Sequence, residues 1–230
     1  EMCIRDRLKR DGLKATSTTM REMLEALKDS FWFFISRISV SINGSLGSIF
    51  LGMRYSPESV EMGLYSGATK LSSAGEQMIP PLGDALYPSM VNKKDYRLFY
   101  RIVLRGGILW FLACVLVEVL ATPLCVLILG GQYASAGGFL RILMVGVFFG
   151  YFSFMFGYPA LSPIGKATWA NAAIMVSAIV NLTACAVLWL AGNITPLTVC
   201  VVFSSTNITT FIVRFGAFMK FRNLAERDAE

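Results

Sequence analysis

Three basic residues lie inside long apolar stretches of this sequence: Arg37, Lys70 and Arg214. An arginine in the hydrocarbon of a bilayer costs about 3 kcal/mol on insertion scales, so such residues mark water-filled cavities, anionic ligands or internal ion pairs. The pattern indicates a cationic interior that could receive an anionic ligand. Two other interpretations stay open. Arg37 could pair with Glu76 or Asp84 inside a helical bundle, and Arg214 is close enough to a helix end to reach lipid headgroups.

Polar residues accompany the first two cations at a helical spacing. The two series are Arg37, Ser41, Gly44 and Ser48, at i, i+4, i+7 and i+11, and Ser66, Lys70, Ser73 and Gln77 at the same spacing. Each series falls on one face of a helix, as a hydrated cavity between helices requires. A phosphate there would be bound in a bidentate manner by arginine and as a point charge by lysine. We therefore predict binding roles for both cations and for Ser41, Ser66, Ser73 and Gln77, with Arg214 as a further candidate.

Three carboxyl groups lie at or near the apolar stretches: Glu76, Asp84 and Glu118. A carboxyl group at membrane depth can take up a proton or a sodium ion, so these residues are candidates for coupling to an ion gradient. They could equally be counter-ions of the cations, or be protonated and packed. Tyr65 could stack on a sugar ring, although anchoring at the membrane interface is the more frequent role of such residues.

The composition excludes several classes of protein. The mean hydropathy is +0.58, and 16% of the 230 residues are charged, against about 25% in soluble domains. The net charge of +6 sits in short clusters between apolar blocks, which argues against a nucleic-acid partner. Histidine is absent, and Cys114, Cys125, Cys185 and Cys200 lack metal-ligand spacing, so they are interpreted as packing residues. We expect no metal and no cofactor.

Six apolar blocks are long enough to cross about 30 Å of hydrocarbon. They cover roughly residues 29–53, 60–90, 103–129, 137–161, 167–191 and 195–219. Pro80 and Pro81 should kink the second block, because proline removes backbone donors, and Gly130 with Gly131 should end the third. The sequence predicts an all-α polytopic bundle of six transmembrane helices over residues 29–222.

The basic residues between the blocks predict the orientation of the chain. They precede the first block, lie between the second and third, precede the fifth and follow the sixth, whereas the opposite loops contain only Arg54 and Arg141. The positive-inside rule then places both ends in the cytoplasm. Residues 1–28 are predicted to be a cytoplasmic lead segment with a short amphipathic helix, and residues 223–230 a cytoplasmic tail.

The first seven residues have a separate interpretation. Glu1-Met-Cys-Ile-Arg-Asp-Arg7 back-translates to DNA that resembles AGATGTGTATAAGAGACAG, a transposon end used to fragment DNA for sequencing libraries. We therefore predict that residues 1–7 are a scar of library preparation and exclude them from structural reasoning. On this interpretation the natural protein continues upstream, and the chain is a C-terminal fragment.

Several short segments resemble a known family when they are taken in order. They are Phe34-Ile-Ser-Arg37, Leu51-Gly52, Met62-Gly-Leu-Tyr-Ser-Gly-Ala-Thr-Lys70, Asp84-Ala-Leu-Tyr-Pro88, Leu127-Ile-Leu-Gly-Gly-Gln-Tyr133 and Ser162-Pro-Ile-Gly-Lys166. Over roughly residues 25–222 the pattern resembles the second half of polysaccharide-transporter flippases. These move lipid-linked oligosaccharides such as O-antigen units across bacterial inner membranes. They belong to the multidrug/oligosaccharidyl-lipid/polysaccharide exporter superfamily.

The resemblance implies a protein of 12 or 14 spans with two helical lobes around a central cavity, of which this chain is the C-terminal lobe. It implies a transporter and no enzyme, located in the bacterial inner membrane and working by alternating access of the lobes. Arg37 and Lys70 match the basic cavity positions of the family. The implied partners are an undecaprenyl-pyrophosphate-linked anionic glycan, membrane lipids and the missing N-terminal lobe.

Other functions remain open at this point. A cation-coupled multidrug exporter of the same fold would have a cavity dominated by carboxylates and aromatic rings, whereas the best-placed charges here are basic. A membrane-embedded glycan polymerase or acyltransferase usually has a large external loop or His/Asp pairs, and this sequence has neither. A purely structural subunit is the remaining alternative.

Overall fold

The computed structural model of the chain describes residues 20–93 and 95–227. The regular structure in these ranges is helical throughout. In chain order the elements are α1 (Met20–Gly52), α2 (Val60–Glu76), α3 (Pro80–Lys93), α4 (Tyr96–Val119), α5 (Ala121–Leu129), a 3-10 turn (Gly131–Tyr133), α6 (Ala136–Met155), α7 (Tyr158–Leu161), α8 (Ala167–Leu190) and α9 (Pro196–Arg227). The predicted scar and the last three residues of the predicted tail lie outside the described residues.

Within the described ranges, five helical segments are long and apolar enough to cross a membrane. They are Phe34–Gly52, Tyr96–Val119, Ala136–Leu161, Ala167–Leu190 and Pro196–Arg222. These segments correspond to five of the six predicted spans, so the predicted fold class, an all-α bundle of transmembrane helices, is confirmed. Large apolar side chains are exposed along them, for example Leu109, Ile179 and Leu190. The chain is a multi-pass membrane protein.

The second predicted span is divided into two short helices. Helix α2 ends at Glu76 and α3 begins at Pro80. Between them the backbone forms a tight turn, with hydrogen bonds from Gln77 N to Ser73 O (3.0 Å) and from Ile79 N to Glu76 O (3.1 Å). Because two successive prolines lack backbone donors, the helical ladder cannot continue through them. The predicted kink is therefore a complete interruption.

The third predicted span is also divided, although less sharply. Helix α4 ends at Val119 and α5 starts at Ala121, because Pro123 cannot donate to the preceding turn. The 3.0 Å bond from Leu120 N to Leu116 O and the 2.8 Å bond from Leu124 N to Leu120 O keep the two helices in sequence. Gly130 then ends α5 with φ at 105°, a conformation that glycine adopts without steric cost.

Helix α6 is the central element of the packing and contacts α9, α2, α4 and α5. Glycines on α6 permit these close approaches. A Cβ atom at Gly146 would lie 3.0 Å from Cα of Ser204 on α9, and one at Gly137 would lie 2.9 Å from Cα of Thr122 on α5. Such backbone contacts are typical of membrane helices, which associate through van der Waals packing rather than through the hydrophobic effect.

Buried apolar side chains form two clusters, one packed against the C-terminal part of α6 and one against its N-terminal part. The first, which we call the Phe99 cluster, joins α3, α4, α6 and α9 through Met90, Phe99, Met155, Phe156 and Phe218. The second includes Leu51, Tyr65, Leu143, Cys125 and Cys200. The four predicted packing cysteines are all buried and free, in agreement with their interpretation as small apolar residues.

The chain divides into two compact units, Glu1–Ile35 and Ser36–Glu230. In the first unit the described residues begin with α1 at Met20. Met20, Leu24 and Leu27 are spaced at i, i+4 and i+7 in the predicted amphipathic helix, and all three are exposed. Residues 1–19 of the predicted lead segment lie outside the described part, so its boundary at residue 28 stays a prediction.

Candidate functional site

A cavity of about 510 Å³ lies within the second unit. It is bordered by α1, α2, α6, α8 and α9, and by the turn before α3. Its polar lining consists of amide and hydroxyl side chains together with one carboxyl group and one guanidinium group. The turn after Glu76 contributes Gln77 and Ile79 to the lining. A cavity with a partly polar lining is therefore built among apolar helices.

Glu76 is the acidic residue of this cavity. It is the last residue of α2 and is half-buried. The side-chain amide of Asn207 on α9 donates to its Oε1 atom at 3.2 Å. A carboxyl group at this depth needs such a donor or a proton, because water is scarce there. The pair joins α2 to α9 across the cavity.

Arg214 is the cation of the cavity and is 8% exposed. Its Nη1 atom donates to the carbonyl oxygen of Ser153 at 2.8 Å and to Oγ of Ser153 at 3.3 Å. Its Nε and Nη2 atoms donate to the carbonyl oxygen of Ala170 at 3.4 and 3.2 Å. Among the described residues no carboxylate pairs with it. The charge is therefore balanced by backbone dipoles and by the hydroxyl group of Ser153.

The Ser153 carbonyl explains part of this arrangement. In a continuous helix it would accept from the amide of Gly157, but that amide bonds to Phe154 O at 3.0 Å instead. Arg214 thus satisfies an orphan carbonyl at the end of α6, where the partial negative charge of a helix dipole favours a cation. It also ties the end of α6 to the first turn of α8.

A polar contact closes one side of the cavity between α1 and α8. Asn43 Nδ2 donates to Ser177 Oγ at 3.1 Å, and Asn181 Nδ2 donates to Oδ1 of Asn43 at 3.1 Å and to its carbonyl oxygen at 3.3 Å. Ser177 and Asn181 are buried. These bonds hold the two helices together where apolar contacts alone would allow sliding.

We expect Asn43 and Asn181 to be energetically coupled by about 0.6 kcal/mol, and by no more than about 1.7 kcal/mol, the range found for hydrogen bonds between membrane helices. The measurement is a double-mutant cycle of Asn43→Ala and Asn181→Ala, with the free energy of unfolding in mixed micelles as the readout. Asn43→Ala combined with Asn193→Ala, at an exposed loop residue, should be additive. Additivity in both cycles would show that the contact carries no energy.

Four of the residues predicted from the sequence line this cavity: Ser73, Glu76, Gln77 and Arg214. Gly44, which belongs to the series that starts at Arg37, also borders the cavity. Of the other predicted site residues, Arg37, Ser41, Lys70, Asp84 and Glu118 are exposed, and Ser66 is half-buried. Tyr65 is buried in the second apolar cluster, where a Cβ atom at Gly47 would lie 2.7 Å from its hydroxyl oxygen.

The position of Arg37 follows from the packing face of α1. Ser36, Ser39 and Leu46 are buried and Asn43 is half-buried, so this face recurs every three or four residues. The stripe that starts at Arg37 is displaced from it by one residue, about 100° around the helix. It therefore lies beside the packed face and points away from the core of this unit.

Sequence reasoning missed the polar residues that α9 and α8 contribute. Thr206, Thr210 and Arg214 recur at i, i+4 and i+8 on α9, and this spacing was available as a signal. Asn43, Asn181 and Asn207 each begin an Asn-x-Ser/Thr match, which says nothing about burial. The structure places all three in hydrogen bonds between helices.

Comparisons with known proteins bear on the first part of the chain. The search of curated proteins and the search of solved structures each gave no match. Residues 2–94, which include α1, α2 and α3, match the family model described as Polysaccharide biosynthesis protein. Members of this family are generally transporters rather than enzymes. Over residues 2–94, which are less than half of the chain, the sequence is similar to this family.

Proposed function

We propose that the chain is the C-terminal lobe of a flippase that moves an undecaprenyl-pyrophosphate-linked oligosaccharide across the bacterial inner membrane. On this proposal both ends of the chain lie in the cytoplasm, and a second lobe completes the transport path. The observation that carries it is the polar cavity among membrane-spanning helices in a chain whose residues 2–94 match the polysaccharide biosynthesis family model. We propose that the chain catalyses no reaction itself.

The chemistry of the cavity suits a glycan. Sugars present many hydroxyl groups, each both donor and acceptor, and the amides of Asn43, Gln77 and Asn207 offer both functions. Hydroxyl groups of Ser73 and Thr210 extend the same surface. Glu76 can accept from sugar hydroxyls, and Arg214 can donate to an acidic sugar. A volume of about 510 Å³ accommodates a few sugar rings, as expected for a substrate that passes in an extended form.

We propose that Arg37 and Lys70 act at a neighbouring place. Both are exposed on α1 and α2, two helices that lie in the region of the family match. Their charges at membrane depth would be stabilised where the missing lobe encloses water and the pyrophosphate of the substrate. Ser41 and Ser66 are proposed as secondary contacts of the same surface. Tyr65 is buried in the second apolar cluster, so the predicted stacking on a sugar ring is not part of the proposal.

The coupling ion is a separate part of the proposal. Glu76 is the strongest candidate because it lies in the cavity and has only one amide donor, Asn207. Asp84 and Glu118 are weaker candidates, since both are exposed. The carboxyl group of Glu76 also favours the second candidate function, a cation-coupled multidrug exporter, because the cavity of such an exporter requires an acidic residue.

The experiment that tests the proposal uses cells that depend on the full-length transporter for surface glycan. Arg37→Ala and Lys70→Ala should each reduce export at least tenfold, because each removes a charge-assisted bond to the pyrophosphate, worth about 1.5–3 kcal/mol. Protein levels in the membrane should be unchanged. Export is measured as labelled glycan at the cell surface.

The matched control is Arg97→Ala, which removes an exposed arginine from the start of α4 and should leave export normal. Efflux of a cationic dye is followed in the same strains. Normal glycan export in both variants, or dye efflux that depends on Glu76 with no effect on glycan, would reject the flippase in favour of the multidrug exporter.

A further inference from the structure

A cluster of two lysines and two aromatic rings lies away from the cavity, at one edge of the membrane-spanning region. Lys166 immediately precedes the span Ala167–Leu190, and Lys220 lies near the end of the span Pro196–Arg222. Because α8 and α9 are consecutive and joined by a short loop at the opposite edge, these two ends come together. We call Lys166, Trp169, Lys220 and Phe221 the Lys166–Lys220 cluster.

The aromatic rings hold both ammonium groups in place. Lys166 Nζ lies 5.1 Å from the ring centre of Phe221, and Lys220 Nζ lies 5.6 Å from the same ring and 5.9 Å from that of Trp169. The two rings are themselves in contact at 5.9 Å. Cation–π contacts of this kind restrict the lysine side chains while leaving their N–H groups free to donate.

The loop before α8 is fixed as well. Gly165 has φ at 69°, and the amide of Lys166 donates to the carbonyl oxygen of Leu161 at 2.9 Å. Lys166 is the N-cap of α8, and no side chain caps that helix. The amide of Trp169 donates to the carbonyl oxygen of Lys166 at 3.0 Å. The amides of Ala167 and Thr168 remain as donors at the start of this helix, where an anion is favoured.

Negative charge is absent from the surrounding sequence. No Asp or Glu occurs between Glu118 and Glu226. Neither lysine makes an ion pair with a residue that the structure describes. Trp169 is exposed, in the position of an interfacial tryptophan whose ring lies at the level of the headgroups. Two positive charges held beside exposed aromatic surface favour an anion at this place.

We propose that the Lys166–Lys220 cluster binds the phosphate of an anionic phospholipid headgroup. The phosphodiester of phosphatidylglycerol carries one negative charge and two terminal oxygens, one for each ammonium group. Its acyl chains would lie along the exposed apolar faces of α8 and α9. A zwitterionic lipid adds its own ammonium group, which opposes the two lysines, so the site selects anionic lipids.

The test uses the full 230-residue chain purified in detergent, with bound lipid measured by native mass spectrometry. Phosphatidylglycerol is titrated against phosphatidylethanolamine. Lys166→Gln combined with Lys220→Gln should weaken retention of phosphatidylglycerol roughly tenfold or more, and should not change that of phosphatidylethanolamine. Lys166→Arg combined with Lys220→Arg keeps the charge and should restore binding.

The matched control is Arg97→Gln combined with Arg101→Gln. It removes the same charge from the start of α4, which lies at the same edge because Tyr96 contacts Phe218 at 6.1 Å. This control should retain phosphatidylglycerol. Equal losses in the lysine and arginine variants would overturn the site, and so would unchanged retention in the lysine variant. Glycerol phosphate is tested in parallel as a water-soluble anion without acyl chains. If it binds as strongly as phosphatidylglycerol, the site is not a lipid site.

Discussion

Arg214→Met is expected to reduce glycan export by the full-length transporter about 10- to 100-fold and to lower the free energy of unfolding by about 2 kcal/mol. The first effect follows from the loss of a charge-assisted donor in the cavity, worth about 1.5–3 kcal/mol, where each 1.4 kcal/mol is a factor of ten. The second follows because the carbonyl oxygen of Ser153 loses its 2.8 Å donor at the end of α6. Export is measured at the cell surface, and stability by denaturation in mixed micelles.

Arg214→Lys separates these two roles. Lysine keeps the positive charge, but its single nitrogen cannot reach both Ser153 and Ala170 in the way that the guanidinium group does. We expect the lysine variant to lose as much stability as the methionine variant while it retains more export. If export falls in strict proportion to folded protein in both variants, Arg214 is structural only. Arg97→Met, at an exposed position, is the control for loss of an arginine.

Phe99→Ala is expected to destabilise the bundle by about 2–4 kcal/mol. Phe99 is fully buried, and its ring contacts those of Tyr100 and Phe156 at 5.7 Å and that of Phe218 at 6.1 Å. Truncation leaves a cavity where α4, α9 and the end of α6 meet. Within a membrane the loss comes from dispersion and cavity formation rather than from transfer to water.

The measurement for Phe99→Ala is the free energy of unfolding of the purified chain in mixed micelles. Phe34→Ala is the matched control, since it makes the same change at an exposed phenylalanine, and it should cost less than about 1 kcal/mol. Comparable losses in the two variants would mean that the Phe99 cluster does not hold α4 against α9.

Hydropathy identified the spans because the length of an apolar block is a one-dimensional property of the sequence. The division of the second span was anticipated at Pro80 and Pro81 for the same reason: proline acts locally. Six spans were predicted, whereas five uninterrupted helices are long enough to cross a membrane in the part of the chain that the structure describes. The sequence alone does not show whether a helix continues in the same direction after two successive prolines. Element type and order were therefore predictable, and continuity was not.

The cavity was predictable only in part. Ser73, Glu76 and Gln77 were found because they follow one helical stripe, and Arg214 because charge at membrane depth is conspicuous. Asn43, Ser177 and Asn207 were missed because a lone amide or hydroxyl group in an apolar helix carries little signal. Which helix faces meet is set by small residues such as Gly146, which allows α6 to touch Ser204. That choice depends on the three-dimensional packing of several helices at once.

The turn between α2 and α3 is fixed by its own hydrogen bonds, since Gln77 N donates to Ser73 O, Met78 N to Gly75 O and Ile79 N to Glu76 O. Ile79 is also buried in the Phe99 cluster. Since Glu76, Gln77, Ile79 and Pro80 all border the cavity, any change in the angle between α2 and α3 would have to break these bonds and move Ile79 out of its packing. The corner therefore acts as a stiff bracket, and we expect the cavity wall to keep its form at this place.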